Sequence, residues 1–416
     1  MFELDTDKQG PRIRVVGIGG CGGNAINSIS KRGIHGVDLI SMNTDMQDLE
    51  RNVAPNKIQI GKSTTRGLGA GSNPDIGRRA AIEARDEIYR ALKDSDMVFI
   101  TAGMGGGTGT GAAPIVASIM KGVDRDEVKK DGQEEQTPLV VAVVTKPFIN
   151  EAKERMRNAD TGIDELKKYV DALIVIPNEK LLAISDKNAG YLASFQKIYD
   201  VLYDAIRGIS EIITNPGFVN VDFADVRTVL ASRGDAIIGT GIASGERRAA
   251  EAASAAISNP LLEEVSLERV EGILVSITAG PSFGLHEYDE IVKTVRGVAK
   301  NGDDESKVIV GVSIDEKLEK DVIVTVIAAG LNNRPQPAPT PTPDPRKRLT
   351  LKEKDKAKEQ SWSIKDWRSF DEPTFERNGI NIHLNKLEDE EGPDGSSDKP
   401  TPKPGERPAF LRKVMD

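Results

Sequence analysis

Cysteine, tryptophan and histidine are nearly absent: 416 residues contain one, two and three of them respectively. A single thiol, Cys21, excludes an intrachain disulfide and fits a reducing compartment. With one cysteine and with His35, His286 and His383 far apart in sequence, little material exists for a transition-metal site, and none is expected. No apolar run approaches the ~20 residues needed to span a bilayer. The opening Met1-Phe2-Glu3-Leu4-Asp5 does not read as a signal peptide, so direct membrane insertion is not expected. Positive charge is also in deficit, 56 Lys+Arg against 65 Asp+Glu. The excess acid falls upstream of residue 331, because the remainder holds 17 basic and 16 acidic residues. A domain without a basic face has nothing to release counterions from nucleic acid. An acidic chain that grips phosphate must use backbone amides, helix dipoles and a divalent cation.

Glycine, by contrast, is abundant at 40 residues, and its distribution is uneven. Residues 103–111 read Gly-Met-Gly-Gly-Gly-Thr-Gly-Thr-Gly, between the strand-like 97–100 and the helix-like 112–117. A strand, a glycine loop and a helix start present bare N–H groups at a helix N-terminus, where an anion binds well. Glycine allows close approach and φ > 0, and Thr108 and Thr110 can add hydroxyls. A second cluster, residues 17–23, follows the strand-like 13–16 and satisfies G-x-G-x-x-G. Asp38 falls roughly where a ribose-binding acid belongs, so a dinucleotide enzyme is one alternative. Gly61-Lys62-Ser63 ends like a Walker loop, but Asn56 stands where the first glycine should be. Two glycine loops at strand-to-helix junctions of one sheet suit a polyphosphate gripped from two sides.

Length predicts two or three domains. Strands are expected near 12–19, 37–42, 97–103, 139–145 and 172–177, all short and rich in Val and Ile, as a sheet buried on both faces requires. Residues 190–214 carry apolar positions at helical spacing over much of the circumference, which predicts a long, central, buried helix. Further strands near 235–241, 271–279, 307–314 and 321–329, with helices near 246–258 and 285–299, make a smaller α/β domain. The expected layout is a flexible N-terminus (1–11), a nucleotide-binding domain (12–189), one connecting core helix (190–217), a C-terminal α/β domain (218–330), a linker (331–405) and a terminal peptide (406–416). Six prolines alternate between 335 and 345, then basic and acidic runs follow, a composition that cannot bury enough surface to offset ordering entropy. The linker is therefore read as disordered, with an aromatic island at 362–375 as a possible second docking motif.

Asn220, Asp222 and Asp225 follow the long helix. Two carboxylates so close can hold Mg²⁺ or orient a water for attack on a γ-phosphate, or either can cap the helix that starts beside them. A helix of about 25 residues is near 37 Å long, which separates these acids from a nucleotide at its other end. If they act on phosphate, it belongs to a neighbouring molecule.

With the 103–111 loop stand Gly19 to Asn24, Asn43-Thr44-Asp45, Gly69-Ala70-Gly71-Ser72-Asn73-Pro74 and Thr145-Lys146-Pro147-Phe148. Together they resemble the tubulin/FtsZ family of polymerising GTPases, without a break from about residue 12 to 330. The resemblance implies a Rossmann-like parallel-sheet GTPase domain, GTP or GDP with Mg²⁺ as ligands, and head-to-tail filaments that form a cytoplasmic division ring at mid-cell, on the inner face of the membrane. It implies nucleotide contacts from Gly20, Cys21, Gly22, Gly23 and Asn24, with Asn43, Thr44, Gly69, Ala70 and Gly71 beside them. Gly103, Met104, Gly105, Gly106, Gly107, Thr108, Gly109, Thr110 and Gly111 belong to the phosphate loop, joined by Thr145 and Pro147. Glu151 and Arg155 fall on the ribose side, and Asn178, Phe195 and Asp200 read guanine. Asn220, Asp222 and Asp225 match the segment whose acids meet the next subunit's GTP. Residues 408–413 resemble the family's terminal peptide, which docks on membrane-tethering and regulatory partners. A filament that binds GTP without efficient hydrolysis is the nearer alternative. Three departures stand out: Tyr199 beside Asp200, a charged insertion at 123–137, and Cys21 in place of a glycine, tolerable only if φ is negative there.

Overall fold

Segments rich in Val, Ile and Leu, most of them six to eleven residues long, set the strands, and glycine or proline ends most of them. A computed structural model describes residues 10–123, 137–183, 191–214, 221–231, 234–262, 270–298, 300–301, 304–305 and 307–331. The first half alternates strand and helix: β1 (Ile13–Ile18), α1 (Gly19–Arg32), β2 (Val37–Asn43), α2 (Met46–Arg51) and β3 (Asn56–Gln59). Three helices follow, α3 (Lys62–Thr65), α4 (Pro74–Glu83) and α5 (Arg85–Leu92), then β4 (Met97–Gly103), α6 (Thr108–Met120), β5 (Leu139–Lys146), α7 (Lys153–Leu166), β6 (Ala172–Pro177) and α8 (Asn178–Ala183). The long helix α9 (Tyr191–Thr214) leads to α10 (Phe223–Leu230), β7 (Gly234–Ser244), α11 (Arg248–Ile257), β8 (Gly272–Ala279) and α12 (Leu285–Val298). A two-residue ribbon, β9 (Lys300–Asn301) with β10 (Asp304–Glu305), precedes β11 (Lys307–Ile314) and β12 (Asp321–Leu331).

Ten strands form one sheet in the order β11-β8-β12-β7-β6-β5-β4-β1-β2-β3. The strands from β3 to β7 are parallel throughout, and only β12 runs against its neighbours β7 and β8. The parallel strands are apolar on both faces, so each face needs a helical cover. One face packs α1 and α9; the other packs α4, α5 and α6. Along α9, Ile198, Leu202, Ala205, Ile206 and Ile209 are buried, at the spacing of one helix face.

The two halves meet in a way the sequence did not suggest. Besides α9, β6 and β7 pair directly over three residues, Ala172 with Gly234, Leu173 with Asp235 and Ile174 with Ala236. Lys167, just after α7, adds an ion pair to Asp235 at 2.7 Å. The long helix is therefore not the sole connection. Residues 124–136, 215–220 and 332–416 fall outside the described residues, and with them most of the charged insertion, Asn220, the proline-rich linker, the aromatic island and the terminal peptide.

Candidate nucleotide-binding site

The adjacent parallel strands β1, β4 and β5 end on one edge of the sheet, at Ile18, Gly103 and Lys146. A cleft of about 320 Å³ opens at that edge, the place where parallel sheets bind ligands. Two helices start there. Neither α1, preceded by Ile18, nor α6, preceded by Gly107, has a side-chain cap or an acid in its first turn. Of the other helices, α2, α4 and α10 are capped by Asp45, Asn73 and Asp222, and α5, α7 and α11 lack a side-chain cap but carry an acid in the first turn. The free N–H groups and positive dipole ends of α1 and α6 thus converge on one cleft, an arrangement that favours an anion.

Gly20, Cys21, Asn24, Gly103, Met104, Gly106, Gly107, Thr108, Gly109, Thr145, Pro147, Glu151, Arg155 and Asn178 all line the cleft. No lysine does, and its one arginine is held by Glu151 at 2.7 Å. Backbone N–H groups are therefore the main donors the cleft offers an anion, as the acidic composition suggests. At Gly106 a Cβ would meet nothing within 4 Å, so the loop lies open on the ligand side. Opposite, Asn178 is 7% exposed and its Oδ1 is buried without a hydrogen-bond partner. A buried acceptor left unmet costs about 1–3 kcal/mol, and a ligand N–H satisfies it. Open cradle and orphaned acceptor both fit a nucleoside polyphosphate.

Other expected contacts turn out to support the cleft rather than line it. Gly22 packs α1 onto β4, where a Cβ would lie 2.5 Å from the Thr101 carbonyl. Gly23 faces Asn52, which donates to its carbonyl at 2.8 Å. Gly105, at φ +98°, donates its N–H to the Thr110 hydroxyl at 2.8 Å, so that pair shapes the loop. At Gly111 a Cβ would fall 1.9 Å from the Pro74 carbonyl, a packing demand of α4 on α6. Asn43 donates to Asp48 at 2.6 Å, and the Thr44 hydroxyl meets that of Thr108, also at 2.6 Å. Ala70 packs beneath Gly107, and Gly69 donates to the Thr44 carbonyl at 3.3 Å. Gly71 has open space around it. Cys21 is not among the positive-φ residues, which explains how it replaces glycine. Burial pushes its thiol above the ordinary value, against the thiolate character a helix start suggests.

At the base end, Ile198 and Tyr199 line the cleft and Asp200 does not. Tyr199 accepts from Asn24 at 3.1 Å, while Asp200 pairs with Arg32 and accepts from Gln196 at 3.2 Å. Phe195 lies in the first turns of α9, and its side chain is outside the described residues. The sequence hinted at Tyr199 only as a departure; Ile198 follows from the helical repeat.

Asp222 caps α10, accepting from the Asp225 amide at 2.8 Å, and Asp225 pairs with Lys307 at 3.7 Å. Ile212 and Val221 both pack onto Gly311, which fixes this corner at the C-terminal end of α9. Thirteen residues of helix separate Tyr199 from Ile212, about 20 Å. The acids cannot reach the cleft of their own chain.

Asp38 sits at the start of β2, at the edge away from the cleft, and pairs with Arg14 at 3.6 Å. A dinucleotide fingerprint needs its acid at the other end of that strand. Site and sheet together have the form of a nucleotide-binding α/β protein, with two uncapped helix starts at one cleft.

Comparison with known proteins agrees and is narrower. Residues 12–186 match the Tubulin/FtsZ family, GTPase domain, and residues 234–332 the FtsZ family, C-terminal domain. Cell division protein FtsZ of Pseudomonas aeruginosa is 46% identical over 91% of this chain and 92% of its own length. That of Pseudomonas putida is 51% identical over 80% of each. An FtsZ dimer from M. jannaschii superposes with a TM-score of 0.71 at 43% identity, covering 79% of this chain and 90% of that one. The chain belongs to the tubulin/FtsZ family of GTPases.

Proposed function

We propose that this chain is a GTPase that assembles head to tail into the filaments of the division ring, hydrolysing each GTP between two subunits. The observation that carries this reading is the separation of the two halves of the chemistry. The phosphate cradle opens at one end of α9, and the acids of α10 lie at the other, about 20 Å away. Stacking subunits along that axis brings the acids of one onto the phosphates of the next. The relatives' description as cell division proteins and the dimeric form of the M. jannaschii protein support the same arrangement.

In this reading the amides of residues 106–109 and the start of α1 hold the phosphates, Glu151 and Arg155 contact the ribose, and Asn178, Phe195 and Asp200 read the base. A carboxylate accepting from the ring N1–H and 2-amino group selects guanine, because adenine offers no such donor pair. Asp222 and Asp225 of the adjoining subunit, with Asn220, orient and polarise the attacking water. A Mg²⁺ ion bound with the nucleotide would supply charge neutralisation at the phosphates. Among the described residues no three acids, histidines or cysteines cluster as a cage, which suits an ion held mainly by phosphate and water. Hydrolysis weakens the interface and lets subunits turn over. Residues 12–189 and 218–330 act as the two working domains. The 408–413 segment, at the end of the 331–405 linker, docks on membrane-tethering and regulatory partners at the inner face of the membrane.

Asp225→Asn and Asp222→Asn test this reading. Asparagine caps a helix about as well as aspartate, so Asp222→Asn leaves α10 intact. Both variants should bind GTP and assemble, and release phosphate about 100-fold more slowly. Unchanged release in both would overturn the role of the α10 acids.

A further inference from the structure

Helices α1 and α9 are joined by polar contacts at a regular four-residue interval on α1. Asn24 donates to the Tyr199 hydroxyl, Ser28 accepts from Gln196 at 3.1 Å, and Arg32 pairs with Asp200. The last contact is chemically pointed. A guanidinium offers a planar pair of N–H donors, and the N1–H and 2-amino edge of guanine offers the same pattern. Asp200 Oδ1 already accepts from both Arg32 and Gln196, whereas bidentate recognition of guanine needs both carboxylate oxygens. Arg32 and the base therefore make the same demand on one group.

Arg32 also has a second place to go. Its guanidinium lies over the Tyr203 ring, 4.9 Å from the centroid. One turn beyond Asp200 on α9 lies Asp204, a carboxylate with no hydrogen bond or ion pair among the described residues. Asp200 and Asp204 both line a cavity of about 150 Å³ between α9 and β7. We propose that Arg32 and guanine compete for Asp200, and that Arg32 transfers to Asp204 when guanine takes its place. This rests on the reading of Asp200 as a guanine-recognition residue. Arg32 is then a residue that sets nucleotide affinity from outside the cleft, and it makes base binding pull α1 and α9 into a new register of contacts.

A dependence on pH follows. Burial holds Asp204 up to about 6, with Arg32 of α1 and Arg207 and Lys197 of α9 drawing it down and Asp200 pushing it up. The facing wall, Ile238, Thr240, Ile242, Asn259 and Leu261, brings no titratable group. If guanine sends Arg32 onto Asp204, the bound state favours the ionised carboxylate, so nucleotide binds more weakly as pH falls through about 6.

The test is calorimetric titration of the full chain with GDP, at protein concentrations too low for assembly. Removing the competitor should tighten binding: Arg32→Gln by about twofold, because the pair regained at Asp204 offsets part of the partly exposed pair lost at Asp200, and Arg32→Lys by less. Asp204→Asn should weaken binding two- to threefold and abolish its change between pH 5 and 7. An Arg32→Gln chain that binds GDP as the wild type does, or more weakly, overturns the competition. Asp200→Asn separates the two claims: if it leaves GDP affinity unchanged, the guanine reading of Asp200 has failed; if it weakens GDP while Arg32→Gln does not tighten it, that reading stands and the transfer does not.

Discussion

Three glycine-led helix starts in the same half of the sheet treat anions in two opposite ways. At Gly61, in the left-handed conformation at φ +67°, the four-residue α3 begins with free amides. Glu83 of α4 fills them: its carboxylate accepts from Ser63 N at 2.7 Å, Thr64 N at 2.9 Å and the Thr64 hydroxyl at 2.7 Å. These bonds hold Glu83 down to about 2. At α1 and α6 no side chain caps the first amides and no acid stands in the first turn. The backbone device is shared; the presence of an internal anion decides whether it becomes a staple or a ligand site. Gly61-Lys62-Ser63, which reads like the end of a phosphate loop, is a staple.

The sharpest way to break this contrast is to supply an internal anion to the open loop. Gly106 has room for a side chain and no positive φ, so Gly106→Asp should fold. It should lower GTP affinity at least about 100-fold, because the new carboxylate meets the amides that the phosphates need. A thermal melt unchanged within a few degrees, beside lost binding, would separate this from misfolding. Next in size is Asn178→Leu, which removes the orphaned acceptor. GTP affinity should fall about tenfold, in the range for a buried hydrogen bond, and equilibrium dialysis measures it.

Removing the internal anion sharpens the contrast from the other side. Glu83→Gln should leave GTP binding unchanged and loosen α3. Glu83 is held below its ordinary value of 4.5, so its stabilisation is present above pH 4.5 and is lost as pH falls towards about 2. The wild type should lose stability over that window and the variant should not. Because the site is exposed, the difference should be under ~1 kcal/mol, measured by urea unfolding at pH 6 and pH 3. Smallest is the effect at Cys21: burial raises its thiol, so alkylation at pH 7 should be slower than for a free cysteine despite its place at the cleft.

What the chain order reveals follows the same division. Nine of the twelve described strands and both glycine loops were legible because Val/Ile runs and glycine clusters are local signals, and α9 because its apolar repeat runs for 24 residues; the short β3, β9 and β10 carry no such run. Glu83 was not legible as the partner of Ser63, since it lies 20 residues away in another helix. Nor was the β6–β7 pairing, which depends on only three residues at two strand ends. Asp222 was legible as a cap or as an interface acid, and its hydrogen bond from Asp225 N shows the cap. Asp200 shows the limit of position alone, because its side chain faces Arg32 rather than the cleft that its neighbour Tyr199 lines.

The central claim is that the active site needs two chains, and the rate of phosphate release per subunit tests it most directly. Measured in GTP and Mg²⁺ across a range of protein concentrations, release should be close to nil below a threshold and rise linearly above it. A specific activity that stays constant down to the lowest concentration would mean a cleft complete within one chain, and would contradict the division of labour between the two ends of α9.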